Sequence, residues 1–357
     1  MDVRRARSYY EDRTVLITGH SGFKGSWLTL LLHRWGARVV GLSKDSQDDL
    51  NAWAGTEHLL QEWVGDVRDR DLLQKVLQEH SPDVIFHMAA WSQTLGSYED
   101  PMECMTTNVN GSINLLDAIR QRAQKVRAVV VTSDKVYRNR EDGRAFHEED
   151  ELGGSDVYSA SKAMSELAVR SFAHSFFPES GDQRICTCRA GNVIGGGDEN
   201  ILRLVPSCIQ AWTEGRPVDL RMPDAVRPWT FVLDVLMGYL LAGAALDRSD
   251  VHSTSFNFGP PRSEELSVKE LVHGLHEELK SSYAVGEVLK GPTGNDPVRE
   301  HTVLRLDSER ARRVLGWAPR LDMHDALRWT ADWYGKRGQH PSICRSEALR
   351  QIDRYLE

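Results

Sequence analysis

The sequence lacks any apolar run long enough to cross a bilayer. Its longest run, Val235 to Leu246, is shorter than the roughly 20 residues that a membrane-spanning helix needs. The first segment, MDVRRARSYYEDR, carries charges where a secretory leader has apolar residues. We therefore expect a cytoplasmic protein with no membrane partner.

The chain also lacks a surplus of positive charge. Its 44 Lys and Arg residues are outnumbered by 52 Asp and Glu residues, which gives a net charge of −8. Nucleic acids bind to basic surfaces, so no nucleic-acid partner is expected. An anionic ligand would have to be held in a local basic pocket.

Cysteine is scarce, and its spacing does not indicate a redox or metal site. The five cysteines, an odd number without a CxxC pair, are Cys104, Cys186, Cys188, Cys208 and Cys344. We predict reduced structural thiols and no bound metal. The sequence also has no internal repeat and no low-complexity linker, and its 40% hydrophobic residues are typical of a globular protein.

The first half of the chain contains a regular alternation of short apolar runs and segments with helical spacing. The candidate strands are Thr14–Thr18, Arg38–Leu42, Trp63–Val64, Val84–His87, Ala128–Thr132, Ile185–Arg189 and, later, Ser255–Phe258. The candidate helices are Ser26–Trp35, Arg70–Glu79, Glu103–Arg120, Tyr158–Phe176, Leu233–Ala245, Ser267–Leu279 and Asp307–Leu315. Strands that alternate with helices predict an α/β fold with a Rossmann-type, doubly wound parallel sheet.

The regular alternation weakens after about Arg189, which predicts a second, smaller α/β domain that binds the substrate. We assign residues 1–190 to the first domain and expect the segment at about 230–262 to return to it. Residues 191–229 and 263–357 are assigned to the smaller domain.

A glycine-rich loop follows the first predicted strand. In the segment TVLITGHSGFKGSWL, glycines at 19, 22 and 25 stand between that strand and a helix. Such glycines allow a tight turn and a close approach of the backbone to a pyrophosphate at the helix N-terminus. A turn that needs positive φ is the alternative, but the strand and helix on either side favour a dinucleotide-binding loop.

The end of the second strand leaves the choice between NAD and NADP open. Ser43 stands where an acid that binds the adenosine ribose is expected, Asp45 follows, and Lys44 would attract a 2′-phosphate. We favour NAD, with NADP possible. After the third strand, Asp66 is a candidate acceptor for the adenine amino group, whereas Asp69 fits equally well as a helix N-cap.

A tyrosine and a lysine stand one helical turn apart in the segment DVYSASK. Tyr158 and Lys162 therefore share a helix face, and the ammonium group is expected to lower the pKa of the phenol. A YxxxK pair alone usually reflects surface packing. Its position after a strand that ends in VTSDKVY, residues 131–137, favours a catalytic pair instead.

The segments Thr18–Gly25, Thr132–Tyr137 and Tyr158–Lys162 together resemble the extended short-chain dehydrogenase/reductase family. Within it, the motifs GHSGFKGSWL, FHMAA, TSDKVY, RAGNVIGGGD, RPW and LGWAP closely resemble CDP-glucose 4,6-dehydratases over nearly the whole chain. The resemblance implies an NAD cofactor and a homodimer or dimer of dimers, joined through the helices at 103–120 and 158–176. The cofactor-binding candidates are Gly19, Ser21, Gly22, Phe23, Gly25, Asp66, Val67, Ala89, Ala90, Tyr158 and Lys162.

The triplet Ser133-Asp134-Lys135 departs from the Thr-Asp-Glu of most nucleotide-sugar 4,6-dehydratases. CDP-glucose dehydratases are similar in carrying Lys at the third position, which favours CDP-glucose over dTDP-glucose or GDP-mannose. A polar loop is the alternative, but the carboxyl ends of parallel strands face the ligand crevice. The catalytic candidates are Ser133, Asp134, Lys135, Tyr158 and Lys162.

The resemblance implies oxidation at C4 of the sugar, elimination of water across C5 and C6, and return of hydride to C6. Lys135 is either a neutral base for C5 or a charged group that stabilises the enolate. Arg189, Asn192 and Arg227 are expected to bind the nucleotide pyrophosphate, although Arg189 could instead close its strand end. The rival functions are another dehydratase or 4-epimerase of the family, and a non-catalytic NAD(P)-binding regulator.

Overall fold

The computed structural model describes residues 3–46, 51–56, 58–122, 124–279, 288–290, 301–337 and 339–357. At its centre lies a parallel sheet of seven strands. They are β1 (Thr14–Thr18), β2 (Arg38–Ser43), β3 (Leu60–Val64), β4 (Val84–His87), β5 (Val126–Val131), β6 (Gln183–Ala190) and β11 (Ser255–Phe258). Their order across the sheet is β11-β6-β5-β4-β1-β2-β3. The order of the first six is that of a doubly wound Rossmann sheet, which confirms the predicted fold class.

The strand order reverses between β1 and β4, and a crevice opens there at the carboxyl ends of the strands. Strands β1, β4 and β5 end at this crevice, with Thr18, His87 and Val131 as their last residues. The segments that carry the predicted cofactor loop and the predicted catalytic triplet therefore meet at one place in the fold.

The sheet is covered by helices on both faces. The helices of the described residues are α1 (Val3–Tyr10), α2 (Phe23–Arg34), α3 (Arg70–His80), α4 (Gly96–Glu99), α5 (Pro101–Met105), α6 (Gly111–Arg120), α7 (Val157–Phe176), α8 (Leu204–Thr213), α9 (Val232–Ala245), α10 (Val268–Leu279), α11 (Met323–Tyr334) and α12 (Pro341–Leu356). Alternate residues of β5 show the two layers, since Val129 and Val131 join one core cluster while Ala128 and Val130 join the other. A strand buried on both faces reads as a continuous apolar run, which made β5 visible in the sequence.

Two predicted elements differ in extent from the structure. The third strand begins at Leu60 and is longer than predicted. It lies at the edge of the sheet, and its polar residues Gln61 and Glu62 concealed its first half in the sequence. The helix predicted at 103–120 is interrupted by a π-helical turn at Thr106–Asn110.

The π-helical turn places Asn108 against the segment that follows β4. Its amide accepts a hydrogen bond from the backbone N–H of Trp91 at 2.8 Å and donates to the Trp91 carbonyl at 3.1 Å. It also donates to Ser161 on α7 at 2.8 Å. The turn thus ties the segment after β4 to the helix that carries the tyrosine and lysine pair.

The remaining strands form short pairs outside the main sheet. They are β7 (Val193–Ile194) with β10 (Thr230–Phe231), β9 (Val226–Arg227) with β12 (Leu266–Ser267), and β8 (Val218–Asp219) with β13 (Val288–Lys290). Within the segment predicted to return to the first domain, β11 pairs with β6 of the main sheet, and the division into domains stays a prediction. Much of the stretch at 280–300, which was assigned to the smaller domain, lies outside the described residues.

The C-terminal helix α12 packs against α2 and the segment around Ala52–Ala54. An ion pair between Arg34 and Asp353, at 2.8 Å, joins α2 to α12 at the surface. The helix predicted at Asp307–Leu315 is a short π-helical turn, Ala311–Leu315, that Gly316 ends at a φ of 67°. All five cysteines are buried free thiols, and no helix among the described residues is long and apolar enough to cross a membrane.

Candidate active site

The glycine-rich loop lies at the carboxyl end of β1 and is built for close backbone packing. Gly19 has a φ of 79°, and a Cβ there would lie 2.7 Å from the backbone nitrogen of Ala89. A Cβ at Gly25 would lie 2.2 Å from the carbonyl oxygen of Gly19. No side chain caps the N-terminus of α2, where Gly22 is the N-cap residue. The loop therefore offers backbone N–H groups and space to a pyrophosphate, as a dinucleotide site requires.

The end of β2 favours NAD over NADP. The hydroxyl of Ser43 lies 2.9 Å from Nδ1 of His20 and accepts a hydrogen bond from the backbone of Ser21 at 3.2 Å. Lys44, the candidate for binding a 2′-phosphate, forms an ion pair with Glu103 at 3.0 Å. Its positive charge is therefore already balanced within the protein.

Asp66 and Val67 follow β3, where an adenine contact was predicted. Both oxygens of the Asp66 carboxylate accept hydrogen bonds from Arg68, which holds the pKa of that carboxyl below its usual value. The role of Asp66 as an adenine acceptor stays a prediction. Asp69 accepts a hydrogen bond from the backbone N–H of Leu72 at 3.0 Å and caps α3, as its alternative interpretation required.

The two histidines near the loop are packing residues held by hydrogen bonds. His20 contacts Ser43 and also Glu62, at 2.9 Å. His87 lies 2.8 Å from the hydroxyl of Thr18 through Nδ1. Burial and the charge of Lys162 lower the pKa of His87 to about 3, so it stays neutral.

The predicted triplet forms a 3-10 turn directly after β5. The Ser133 hydroxyl donates to Oδ1 of Asp134 at 2.8 Å and accepts from the backbone N–H of Lys135 at 3.2 Å. Oδ2 of Asp134 is buried and has no hydrogen-bond partner among the described residues, and Asp134 is only 4% exposed. Burial raises the pKa of this carboxyl and outweighs the opposing effects of Lys135 and Ser133. The arrangement favours a protonated carboxylic acid, which is able to donate a proton.

Tyr158 and Lys162 lie on the first turns of α7 beside this triplet. Burial raises the pKa of Tyr158 to about 12, while a hydrogen bond with Ser133 opposes that shift. Burial is the largest influence on Tyr158, so its pKa is raised rather than lowered as the sequence predicted. The ammonium group of Lys162 donates to the carbonyl of Val131 at 3.3 Å, and burial lowers its pKa to about 8.

A cavity of about 430 Å³ connects these groups to the smaller part of the fold. Ser133, Asp134, Lys135 and Tyr158 line it, and so do the predicted substrate residues Asn192 and Arg227. The amine of Lys135 is fixed there, since it donates to the Thr94 hydroxyl at 2.8 Å. Four of the five predicted catalytic residues therefore face one cavity, and Lys162 stands one helical turn from Tyr158.

Arg189 does not reach this cavity, and its prediction as a pyrophosphate ligand is corrected. Its side chain is fully buried, and its guanidinium pairs with both oxygens of Glu166 at 2.9 Å. The remaining donors go to the Tyr137 hydroxyl, the Glu148 carbonyl and the Ser255 hydroxyl. All five N–H groups are used, so none remains for a phosphate.

The Glu166 and Arg189 pair joins three elements of the site. Glu166, on α7, accepts hydrogen bonds from Thr132 at the end of β5 at 2.5 Å and from Thr187 on β6 at 2.8 Å. It lies one turn beyond Lys162. The pair therefore fixes the helix that carries Tyr158 against the strand end that carries the triplet.

Sequence reasoning missed three cationic side chains that line the cavity: Lys24, Arg203 and Arg221. Arg203 pairs with Asp198 at 2.9 Å and donates to the Ser92 hydroxyl at 2.7 Å, so it bridges two loops at the cavity mouth. Arg203 stands outside every recognisable motif. Lys24 had a visible signal, because it is a charged residue inside the glycine-rich loop.

Together, the Rossmann sheet, the dinucleotide loop and the acid, tyrosine and lysine define an NAD-dependent enzyme of the short-chain dehydrogenase/reductase type. The family model for GDP-mannose 4,6 dehydratase matches residues 16–330. The chain belongs to this family of nucleotide-sugar 4,6-dehydratases.

Individual relatives agree with this assignment. The chain is 36% identical to a CDP-glucose 4,6-dehydratase of Salmonella typhimurium, over 98% of both chains. It is 28% identical to a dTDP-glucose 4,6-dehydratase of Xanthomonas campestris, over 90% of this chain and 93% of the relative. A dTDP-glucose 4,6-dehydratase of Streptomyces venezuelae, solved with NAD, superposes with a TM-score of 0.75 at 25% identity, over 90% of this chain and 97% of that one. These findings confirm the predicted fold class, the dehydratase function and the NAD cofactor.

Proposed function

We propose that this protein converts CDP-glucose to CDP-4-keto-6-deoxyglucose and water. The observation that carries dehydration, rather than epimerisation, is Asp134. Its carboxyl is buried in the cavity, and burial raises its pKa, which favours the protonated form that can donate a proton. Elimination of water needs a proton donor for the departing hydroxyl, whereas inversion at C4 does not.

Oxidation at C4 is assigned to Tyr158 and Ser133. Tyr158 takes the proton from the C4 hydroxyl, and the Ser133 hydroxyl forms a hydrogen bond with the same oxygen. The glycine-rich loop would hold NAD, which would supply a hydride acceptor for C4 and a hydride donor for C6, and its positive charge would favour the phenolate of Tyr158. Lys162 adds a second positive charge one turn along α7.

Elimination is assigned to Asp134 and a base. The C4 carbonyl acidifies the C5 hydrogen, a base removes that proton, and Asp134 donates its own proton to the C6 hydroxyl as the C6–O bond breaks. Lys135 is either this base or a cation that stabilises the enolate while another group or an ordered water takes the proton. Its contact with the Thr94 hydroxyl holds the amine at the cavity wall in both cases.

Two arguments support CDP-glucose as the substrate. The Salmonella relative carries that activity in its name and matches 98% of this chain. The triplet also has Lys135 where most other nucleotide-sugar dehydratases carry Glu. For the pyrophosphate we retain Asn192 and Arg227, which line the cavity, and add Arg203 at its mouth.

We also propose a homodimer formed through the predicted pair of helical segments. Met102 on α5, and Met164 and Leu167 on α7, are large apolar side chains exposed by 68%, 45% and 53%. An apolar face of this kind is unusual on the surface of a monomer and fits burial against a second copy.

The test is to incubate the purified protein with NAD and, separately, CDP-glucose, dTDP-glucose and GDP-mannose, and to follow loss of water by mass spectrometry. Loss from CDP-glucose alone is the expected result. Loss from another sugar nucleotide would overturn the substrate assignment. An isomer of unchanged mass would identify an epimerase, and cofactor binding without any turnover would identify a regulator.

A further inference from the structure

Lys24 is a cationic side chain of the cavity that the proposed reaction does not use. It lies between Gly22 and Gly25, on the first turn of α2, and its side chain lines the same cavity as Asp134 and Tyr158. A positive charge at a helix N-terminus is unfavourable, because the helix dipole is itself positive there. A lysine at this position therefore costs stability and calls for a functional reason.

The half-buried ammonium group of Lys24 has no carboxylate partner within the described part of the chain. Its hydrogen bond goes to the hydroxyl of Tyr239, at 3.3 Å, and it lies 5.5 Å from the centre of that ring. Tyr239 is on α9 and is fully buried, so it holds the amine from the core side of the cavity. An ammonium group held in this way keeps an uncompensated charge directed at its surroundings.

We propose that Lys24 adjusts the redox balance of the bound cofactor. Its positive charge, held in place by Tyr239, disfavours oxidised NAD relative to NADH. The proposal rests on the proposed function, in which the cofactor extends from the glycine-rich loop to Tyr158. Lys24 belongs to that loop and shares the cavity with Tyr158, so it lies along this path. The oxidised nicotinamide is cationic and the reduced one is neutral, so a nearby ammonium group favours acceptance of hydride from the sugar.

The charges around Lys24 come from several elements. Lys162 on α7 and Arg203 at the start of α8 disfavour its charged form, while Asp134 after β5 and Asp198 favour it. Burial is the largest influence, and together these effects lower the pKa of Lys24 to about 7. The charge on Lys24 should therefore decline as pH rises through neutrality.

The experiment measures the dissociation constants of NAD and of NADH separately for the intact protein, without sugar nucleotide, at pH 6, 7 and 9. K24M should tighten NAD relative to NADH by about tenfold at pH 6, because removal of a charge from a partly buried site changes charge–charge interactions on roughly this scale. For a two-electron carrier, tenfold corresponds to about 30 mV in reduction potential. The ratio in the unchanged protein should approach that of K24M as pH rises, and the ratio in K24M should stay flat.

Two further variants make the result decisive. K24R retains the charge and should retain the ratio at pH 6. Lys269 is an exposed lysine paired with Asp224 on the surface, so K269M controls for loss of a positive charge elsewhere. An unchanged ratio in K24M overturns the proposal, and so does an equal weakening of both cofactor forms or a K24R that behaves like K24M. Failure of the dehydration assay, with the ratio shifted as expected, would instead count against the proposed substrate chemistry.

Discussion

Replacing Arg189 with Met tests whether this residue binds substrate or holds the active site together. The side chain makes five hydrogen bonds in the core, two of them to the Glu166 carboxylate. Removing it leaves Glu166, which is 0% exposed, as a buried charge without its partner. Breaking a buried pair from one side costs about 3–5 kcal/mol, so the free energy of unfolding should fall by that amount.

Equilibrium unfolding in urea measures this loss, and two variants act as controls. The exposed pair of Arg34 and Asp353, in which the side chains are 56% and 46% exposed, gives the matched comparison. R34M should cost less than about 1 kcal/mol. The double variant R189M/E166Q should be more stable than R189M alone, because it no longer buries an unpaired carboxylate.

The pH dependence of stability adds a second readout. Burial raises the pKa of Glu166, but the guanidinium of Arg189 and the hydroxyls of Thr132 and Thr187 outweigh it, so the pKa lies below 4.5. A carboxyl pKa that is lower in the folded than in the unfolded state stabilises the fold above the unfolded-state pKa. This contribution is lost as pH falls through the folded-state pKa. In R189M this acid-dependent loss should disappear or reverse. A loss of stability under 1 kcal/mol together with a raised KM for the sugar nucleotide would refute the positioning role and restore the substrate role.

Three further predictions concern the cofactor loop, the acid and the dimer. Asp134→Asn should lower turnover by about 10²–10⁴-fold, while oxidation at C4 should still produce NADH, which is followed by its absorbance. Equal loss of C4 oxidation and of elimination would contradict a role in elimination alone. Gly25→Ala should abolish NAD binding measured by calorimetry, because its Cβ would lie 2.2 Å from the carbonyl oxygen of Gly19; NAD binding at full affinity would count against this role of the loop. Met164→Asp combined with Leu167→Asp should give a monomer in sedimentation velocity, and an unchanged sedimentation coefficient would place the interface elsewhere.

Most of the fold was readable from the sequence because its signals are local. A buried parallel strand such as β5 is apolar throughout, and a helix such as α7 has few breakers over its whole length. The edge strand β3 was predicted too short, since the adjacent polar residues Gln61 and Glu62 interrupt its apolar pattern. The π-helical turn at Thr106–Asn110 was missed because sequence spacing does not reveal it, and neither does spacing reveal the contact of Asn108 with Trp91.

The site was only partly predictable, for a related reason. Motifs give residue types and order, and they correctly brought Ser133, Asp134 and Tyr158 to one cavity. They give no burial, and burial shapes the chemistry here: it raises the pKa of Tyr158 to about 12 and raises the pKa of Asp134 above its usual value. The partner of Lys24, Tyr239, lies 215 residues away in the chain, so no local pattern joins them.

Arg189 shows why a charged residue at a strand end is ambiguous until its neighbours are known. The carboxyl end of a parallel strand faces the ligand crevice, and a guanidinium there suits a phosphate. The same residue suits a buried carboxylate, and Glu166 supplies one from the next layer of the fold. A fully used guanidinium cannot change partners without leaving Glu166 unpaired in the core, so substrate binding cannot recruit it. We therefore propose that the phosphate-binding role falls to arginines that line the cavity, among them Arg203, which bridges two loops there.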